Sequence, residues 1–307
     1  MDEYPVEHIP VLADAVLAHA SFGPDAVVVD ATLGQGGHSL LLGQRLGSNG
    51  LLLGLDIDPY ALEAARYRCR DCICRLCFRS GNFANVACIL HKEGIDRVDF
   101  LLADLGYSST QLADPEMGLS FQADMPLDMR IDKQLTVTAA DIVNHSDETS
   151  LADLIFNYGQ DRASRRIARF IVAARQNAPI TTTGQLEAIV LKALYRPGRK
   201  KHGLRLHPAT RTFQALRIAV NHELDNLKQL LALAPRILRP GGRLAVISFH
   251  SLEDRLVKLD FKENKLAGLY KILTKKPLVA DESEVRTNRR SRSAKLRIAE
   301  RLPAGDF

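Results

Sequence analysis

Four short apolar runs separated by helical patterns constrain the fold of this chain more than any other feature. The runs occupy residues 26–32, 51–57, 98–105 and 243–249. Helical patterns lie between the first three of them, for instance at 39–46 and 59–66. Strands and helices that alternate at this spacing predict a parallel sheet in an α/β domain. A functional site is then expected at the carboxyl ends of the strands, where the strand order reverses.

The stretch from about 107 to 215 interrupts this alternation. It begins with a loop containing Gly, Ser and Pro, and then carries helical patterns at 139–144, 148–158, 161–176 and 183–194. Capping residues indicate two of the helix starts, Ser146 for one and Thr182 or Thr183 for another. A chain of 307 residues has room for roughly two domains. We therefore predict an α/β domain formed by 1–106 and 216–307, with 107–215 inserted into it as a mainly helical domain.

The charge of the chain is unevenly distributed. The formal net charge is +5, yet residues 192–217 carry +8 and residues 286–301 carry +6, which leaves −9 for the rest. Two basic segments on an acidic body favour a polyanionic partner, and we predict nucleic acid; solvated basic faces without a partner are the alternative. Four further arginines are spaced for one face of a helix and would track phosphates. They are Arg162, Arg165, Arg166 and Arg169.

Several sequence patterns indicate the cellular compartment of the protein. No apolar run approaches the ~18 residues that a membrane span needs. The acidic start is followed by no continuous apolar stretch, so a secretory signal is not predicted. The five cysteines are an odd number, which fits a reducing compartment. We expect a cytoplasmic protein without a membrane partner.

Four of the cysteines form two Cys-x-x-Cys pairs between residues 69 and 77. Such pairs can hold zinc or an iron–sulfur cluster. These two pairs, however, lack the intervening span that normally folds around a metal. We predict free thiols and no metal at Cys69, Cys72, Cys74 and Cys77.

A glycine-rich segment follows the first apolar run and predicts a ligand-binding loop. Glycines at 34, 36 and 37 let the backbone turn sharply and approach a ligand closely. Asp56 ends the second run, where a carboxylate can accept both hydroxyls of a ribose. Ser39 stands where a dinucleotide fingerprint requires its third glycine, which disfavours a nicotinamide cofactor. The spacing from Asp30 resembles the S-adenosylmethionine loop of class I methyltransferases instead, and a tight turn without a ligand is the alternative.

Asp104 ends the third run and is a candidate catalytic residue. Methyltransferases that act on exocyclic amines carry an acidic or polar residue at this topological position. The lone pair of the cytosine N4 amine is delocalised into the ring, so an acceptor that holds its hydrogens would make it a better nucleophile. Asp104 as a cap of the following turn is the alternative reading.

Several longer strings resemble one family. The strings that carry the resemblance are His8 to Leu12, Asp30 to Ser39, Asp104 to Gly106 with Ser108-Ser109 and Gln111-Leu112, Pro126 to Arg130, His207 to Ile218, Gly241 to Leu244 and Ser248 to Arg255. Through them the sequence closely resembles the bacterial small-subunit ribosomal RNA cytosine-N4 methyltransferases, from about residue 8 to residue 301.

This resemblance implies a fold, an activity and a set of site residues. The fold would be a class I methyltransferase Rossmann-like sheet, with 107–215 as the substrate-recognition domain. The activity would be methyl transfer from S-adenosyl-L-methionine to N4 of a specific cytidine in 16S rRNA, within the small ribosomal subunit, with Asp104 as the catalytic residue. The implied cofactor contacts are Gly36, Gly37, His38, Asp56, Phe83, Asp104 and Gln111. Independently of the resemblance, His250, Ser251 and Arg255 follow the fourth apolar run and are expected to face the same cleft, either as RNA contacts or as support for the pocket.

The sequence departs from the family pattern at a few positions, and other functions stay open. Tyr107 stands in place of a small β-branched residue, where it would either stack on the target base or pack internally. Thr110 replaces a usual proline, and Leu119 replaces a usual Phe. An amine methyltransferase acting on DNA or protein is the main alternative function. A non-catalytic RNA-binding factor is disfavoured, because a pure binder needs neither the glycine-rich loop nor Asp56.

Overall fold

The computed structural model describes residues 9–107, 111–112, 114–195 and 207–303. The chain divides into two compact units, one formed by 1–106 and 224–307 and the other by 107–223. The predicted boundary at 215/216 falls within a helix, Thr210–Asn221, whose buried Leu216 and Val220 belong to the core of the second unit. The boundary therefore lies after Glu223, and the helix is part of the inserted unit.

The first unit is built on a seven-stranded sheet in its described residues. The strands are β1 (Val27–Asp30), β2 (Leu51–Asp56), β3 (Arg75–Ser80), β4 (Val98–Asp104), β5 (Leu238–Ser248), β6 (Tyr270–Ile272) and β7 (Lys295–Arg301). Their order is β3-β2-β1-β4-β5-β7-β6, with β1 to β5 parallel and β7 antiparallel to both of its neighbours. This confirms the predicted class I methyltransferase Rossmann-like sheet.

Helices cover both faces of the sheet. They are α1 (Ala13–His19), α2 (Gly37–Gly43), α3 (Pro59–Arg68), α4 (Val86–Lys92), α10 (Glu223–Ile237), α11 (Ser251–Leu266) and α12 (Glu282–Thr287). Successive residues of a strand point to opposite faces, so Leu52 packs with the helices of one face and Leu53 with those of the other. All four predicted apolar runs lie in central strands. A strand that is buried on both faces consists of almost continuously apolar residues, which explains why these strands are visible in the sequence.

In its described residues, the inserted unit is mainly helical from residue 139 onward. Its helices are α5 (Ala139–His145), α6 (Glu148–Gly159), α7 (Ser164–Arg175), α8 (Thr183–Leu194) and α9 (Thr210–Asn221). The predicted cap of α8 is confirmed, because Thr182 accepts the Gln185 N–H in a capping box. The predicted cap of α6 is wrong: Asp147, rather than Ser146, accepts the Ser150 N–H at 2.9 Å. A carboxylate one residue later offers the stronger acceptor to the same helix end.

Candidate active site

The glycine-rich loop joins β1 to α2 with a backbone that turns twice through the left-handed region. Gly34 has φ +50° and Gly36 has φ +76°. A Cβ atom on Gly36 would lie 3.0 Å from Cα and Cβ of Ala65 on α3. Glycine at position 36 is thus required both by its φ angle and by the close packing of α3.

Asp30 and Ser39 fasten the two ends of this loop to each other. The Ser39 hydroxyl donates to Asp30 Oδ2 at 2.8 Å, and the Thr32 N–H donates to Asp30 Oδ1 at 3.2 Å. Burial of Asp30 raises its pKa to about 6. The serine that stands where a dinucleotide loop requires glycine therefore has a structural role, because it bonds the carboxyl at the end of β1.

Asp56 at the end of β2 supports the loop from the neighbouring strand. Its Oδ2 accepts the Gly34 N–H at 2.8 Å, and its Oδ1 accepts the Asp58 N–H at 2.9 Å. Burial raises the pKa of this carboxyl, and the two backbone donors oppose the rise. Each oxygen retains a second lone pair, so the carboxylate can still accept hydrogen bonds from a ligand.

Phe83 lies just beyond the end of β3, in the short 3₁₀ turn Phe83–Asn85. The Asn82 side chain accepts the Ala84 N–H at 2.9 Å and so fixes this turn. Phe83 is half-buried and packs against the core on one face of the sheet. Because β2 and β3 are parallel, Phe83 lies at the same end of the sheet as Asp56.

Asp104 ends β4 beside His38 of α2. The Asp104 N–H donates to Thr32 Oγ1 at 2.7 Å, and Asp104 Oδ2 lies 3.8 Å from His38 Nε2. Burial raises the pKa of Asp104 to about 7; the charges of Asp30 and Glu253 act in the same direction, and Arg290 opposes them. A carboxyl with this pKa exchanges a proton near neutral pH, as a general acid or base must.

The first turn of α11, just after β5, supplies a further acidic group. Glu253 is buried, accepts the Phe249 N–H at 2.8 Å and lies 3.3 Å from His250 Nε2. His250 and Glu253 form the capping box that starts α11. Of the three residues expected at the cleft, His250 is thus part of this buried cap, whereas Ser251 and Arg255 are exposed.

Comparison with known proteins identifies the chain, because a family model described as the MraW methylase family matches residues 5–302. The chain belongs to that family. A ribosomal RNA small subunit methyltransferase H from Acaryochloris marina is 48% identical over 97% of this chain and 96% of its own length. Relatives of the same name from Deinococcus radiodurans and Solibacter usitatus are 49% and 46% identical, over 97% and 95% of this chain and 90% and 99% of their own.

In this methylase, six of the seven predicted cofactor residues lie in the first unit, on the loop, on α2 or at strand ends: Gly36, Gly37, His38, Asp56, Phe83 and Asp104. Gln111 belongs to the second unit and is buried there. Sequence reasoning did not assign Thr32, Glu253 and Arg290 to the site. The Glu three residues after His250 is a capping-box signal that points to Glu253. No local signal points to Arg290, because only the tertiary fold brings it near Asp104.

The basic residues of the methylase have several different roles. Arg297 is buried and pairs with Asp254 at 2.7 Å, and Arg301 donates to the carbonyl oxygen of Pro235. In the second unit, Arg217 pairs with Glu223 at 2.7 Å and lies 4.7 Å from the centre of the Tyr107 ring. Residues 196–206, which hold much of the first basic segment, lie outside the described residues. Part of the predicted basic surface is therefore internal structure.

Helix α7 carries three of the four arginines predicted to share one helical face, and the fourth lies just before it. Arg162 precedes its first residue, and Arg165, Arg166 and Arg169 lie within it. Arg162, Arg165 and Arg169 are exposed, as a phosphate-tracking face requires.

Across the described part of the chain, every helix is too short or too polar to cross a membrane.

Proposed function

We propose that this chain transfers a methyl group from S-adenosyl-L-methionine to the N4 amine of a cytidine in 16S rRNA, within the small ribosomal subunit. Membership of a methylase family and the names of its relatives support ribosomal RNA as the substrate. The main support for an amine as the methyl acceptor is the carboxyl of Asp104, which is 18% exposed and lies at the end of β4 beside α2.

The residues around the loop fit this cofactor. The free lone pairs of the Asp56 carboxylate suit ribose hydroxyls, and the half-buried Phe83 offers an apolar face to adenine. Gly36, with φ +76°, gives the loop a sharp turn at the start of α2. When bound, S-adenosylmethionine supplies an electrophilic methyl group on a sulfonium.

Asp104 makes the amine a nucleophile. The ionised carboxylate accepts a hydrogen bond from the N4 amine, which localises the lone pair and aims it at the methyl group. After transfer, the methylated nitrogen must lose a proton. A carboxylate whose pKa is raised to about 7 is basic enough to take it at neutral pH. His38 Nε2, at 3.8 Å, lies next to the oxygen that receives this proton.

We infer that the two units have different roles in the proposed reaction. The loop and strand-end residues that suit the cofactor lie in the unit formed by 1–106 and 224–307, and the exposed arginine face of α7 lies in 107–223. We therefore assign cofactor binding and catalysis to the first unit, and we assign contacts with rRNA to the second unit together with exposed arginines near the end of the first. The assignment of Gln111 as a cofactor contact rests on the family resemblance alone, and calorimetry of Gln111→Ala tests it.

The decisive experiment is nucleoside analysis of ribosomal RNA. A strain that lacks this protein is complemented with the wild type or with Asp104→Asn, and digested 16S rRNA is compared with N4-methylcytidine and 5-methylcytidine standards. We expect N4-methylcytidine to be lost in the deletion strain and restored by the wild type only. A methyl group on carbon 5, or no change in rRNA, would overturn the proposal. A change in DNA or protein methylation instead would favour the alternative amine methyltransferase.

A further inference from the structure

Three cysteines lie together beneath the glycine-rich loop, and the proposed reaction does not use them. We call Cys69, Cys72 and Cys74 the thiol cluster; all three are in reduced form and pack on the α2 and α3 face of the sheet. Cys77 packs in the core on the opposite face, where its Sγ lies 3.3 Å from Glu93 Oε2. The four sulfurs of the sequence pattern thus divide between the two faces of the sheet and do not form a four-cysteine site.

Two members of the cluster are placed for a disulfide bond. The Cys72 N–H donates to the Cys69 carbonyl at 2.9 Å, which closes a turn at the end of α3. Such a turn brings its first and fourth Cα atoms within ~7 Å, and a disulfide spans Cα atoms ~4.4–6.8 Å apart. The charge of Cys72 raises the pKa of both Cys69 and Cys74, so its sulfur lies near both of theirs, and the backbone turn singles out Cys69 as the partner.

The same two sulfurs support the loop and α2. Cys69 Sγ is fully buried, lies 4.0 Å from the Gly36 carbonyl oxygen and would lie 3.5 Å from a Cβ on Gly36. Cys72 Sγ would lie 2.9 Å from a Cβ on Gly43, the last residue of α2. The sulfurs therefore fill the space that two glycines leave at the two ends of this short helix.

We propose that Cys69 and Cys72 form a redox modification site whose disulfide lowers the affinity of the glycine-rich loop for its ligand. An S–S bond is ~2.05 Å long, so the two sulfurs must approach each other and at least one must leave its glycine. The loop then loses packing beneath Gly36 or at the end of α2. The part of this inference that concerns ligand affinity rests on the proposed cofactor.

Disulfide exchange with a low-molecular-weight disulfide accounts for the oxidation. Cys72 is half-exposed; its thiolate attacks one sulfur of the reagent and releases the other half as a thiol. The Cys69 thiolate then attacks Cys72 Sγ and releases the second half. Two protein thiols are oxidised to one disulfide, the reagent is reduced to two thiols, and these carry the two protons. Burial raises the pKa of Cys72 and raises that of Cys69 to about 12, so both steps should be slow at neutral pH and faster in alkaline buffer.

The test treats the whole protein with 2-hydroxyethyl disulfide and maps the products by mass spectrometry. We expect a Cys69–Cys72 disulfide, an affinity for S-adenosylmethionine that is lower by about fourfold, as for the loss of one buried methylene contact, and full recovery with dithiothreitol. Cys72→Ser should not respond. Cys88→Ser, which changes an exposed cysteine on α4, should respond like the wild type.

Amide hydrogen exchange separates this inference from the proposed function. Oxidation should increase exchange in α2 without any ligand, so this readout remains valid even if the reduced protein does not bind S-adenosylmethionine. A Cys72–Cys74 disulfide, no disulfide at all, or a Cys69–Cys72 disulfide that leaves both exchange in α2 and ligand affinity unchanged would overturn the inference.

Discussion

At the residue scale, the proposed chemistry depends most directly on the environment of the Asp104 carboxyl. Burial and the charges of Asp30 and Glu253 favour its neutral form, and Arg290 favours its ionised form. A carboxyl in solution would be ionised throughout the neutral range. In this protein the ionised fraction instead changes near neutrality, so under the proposed mechanism pH would control how much enzyme can accept a hydrogen bond from an amine.

The rate of methyl transfer should therefore rise with pH through about 7 and level off above it. The sign follows from the raised pKa: below this value Asp104 is protonated and cannot accept a hydrogen bond from the amine or take its proton. Single-turnover rates at saturating cofactor measure the profile. Asp104→Asn should be slower by about 10²–10³-fold, without the rise near pH 7. A wild-type rate that is constant from acid to alkaline pH would contradict this role.

Asp56 should contribute to cofactor affinity rather than to the chemical step. Replacing it with Ala removes a charged acceptor, and we expect binding weaker by ~1.5–3 kcal/mol in calorimetry. Asp56 also holds the Gly34 N–H, so Asp56→Asn, which keeps one acceptor oxygen, serves as the control. If both variants fold and bind as tightly as the wild type, Asp56 is not a cofactor ligand.

At the element scale, the loop between β1 and α2 depends on close contact with α3. Gly36→Ala should destabilise the protein and weaken cofactor binding, because the new Cβ would lie 3.0 Å from Ala65 and φ is +76°. Gly94→Ala is the matched control: its φ is +70°, and no atom lies within 4 Å of the added Cβ. Both substitutions cost about 1–2 kcal/mol of left-handed strain. Thermal unfolding should show a larger loss for Gly36→Ala; equal losses would mean that α3 does not restrict the loop.

The sequence predicts those strands whose own residues form a clear hydrophobic pattern. The central strands β1, β2, β4 and β5 are continuous apolar runs, and their ends hold most of the candidate site. Strand β3 escapes prediction because it is an edge strand with arginine at its first and fifth positions, and β6 has only three residues. Strand β7 lies in the segment that reads as a basic block, although Leu296 and Ile298 are buried. Glu253 and Arg290 reach Asp104 only through tertiary packing.

At the scale of the whole molecule, the net charge of a segment overstates the basic surface that it presents. Within 286–301, Lys295 and Arg297 pair with Asp254, and Arg301 donates to backbone carbonyls. Arg290 acts on Asp104. Arg289 and Arg292 are exposed, and so they are the better candidates for contacts with phosphate.

Neutralising Arg289 and Arg292 with glutamine should flatten the salt dependence of RNA binding without changing affinity for the cofactor. Each lost contact should reduce the slope by ~0.9 for duplex or ~0.7 for single-stranded RNA. Arg70→Gln with Arg75→Gln is the matched control, because these exposed arginines lie outside the basic segments and the net charge changes equally. Filter binding over a range of salt concentrations measures both slopes. Equal slopes for the two double variants would place this part of the chain away from RNA.

The position of the inserted unit also affects the order in which the chain folds during synthesis. Strand β4 ends at Asp104, while β5, its hydrogen-bonded neighbour, begins at Leu238. The apolar edge of β4 thus leaves the ribosome well before the strand that covers it, and an uncovered edge is a template for aggregation. Helices rich in local contacts fold faster than distant parallel strands pair. Rapid folding of the intervening helices makes the remaining connection compact, and this shortens the time for which the nascent sheet stays open.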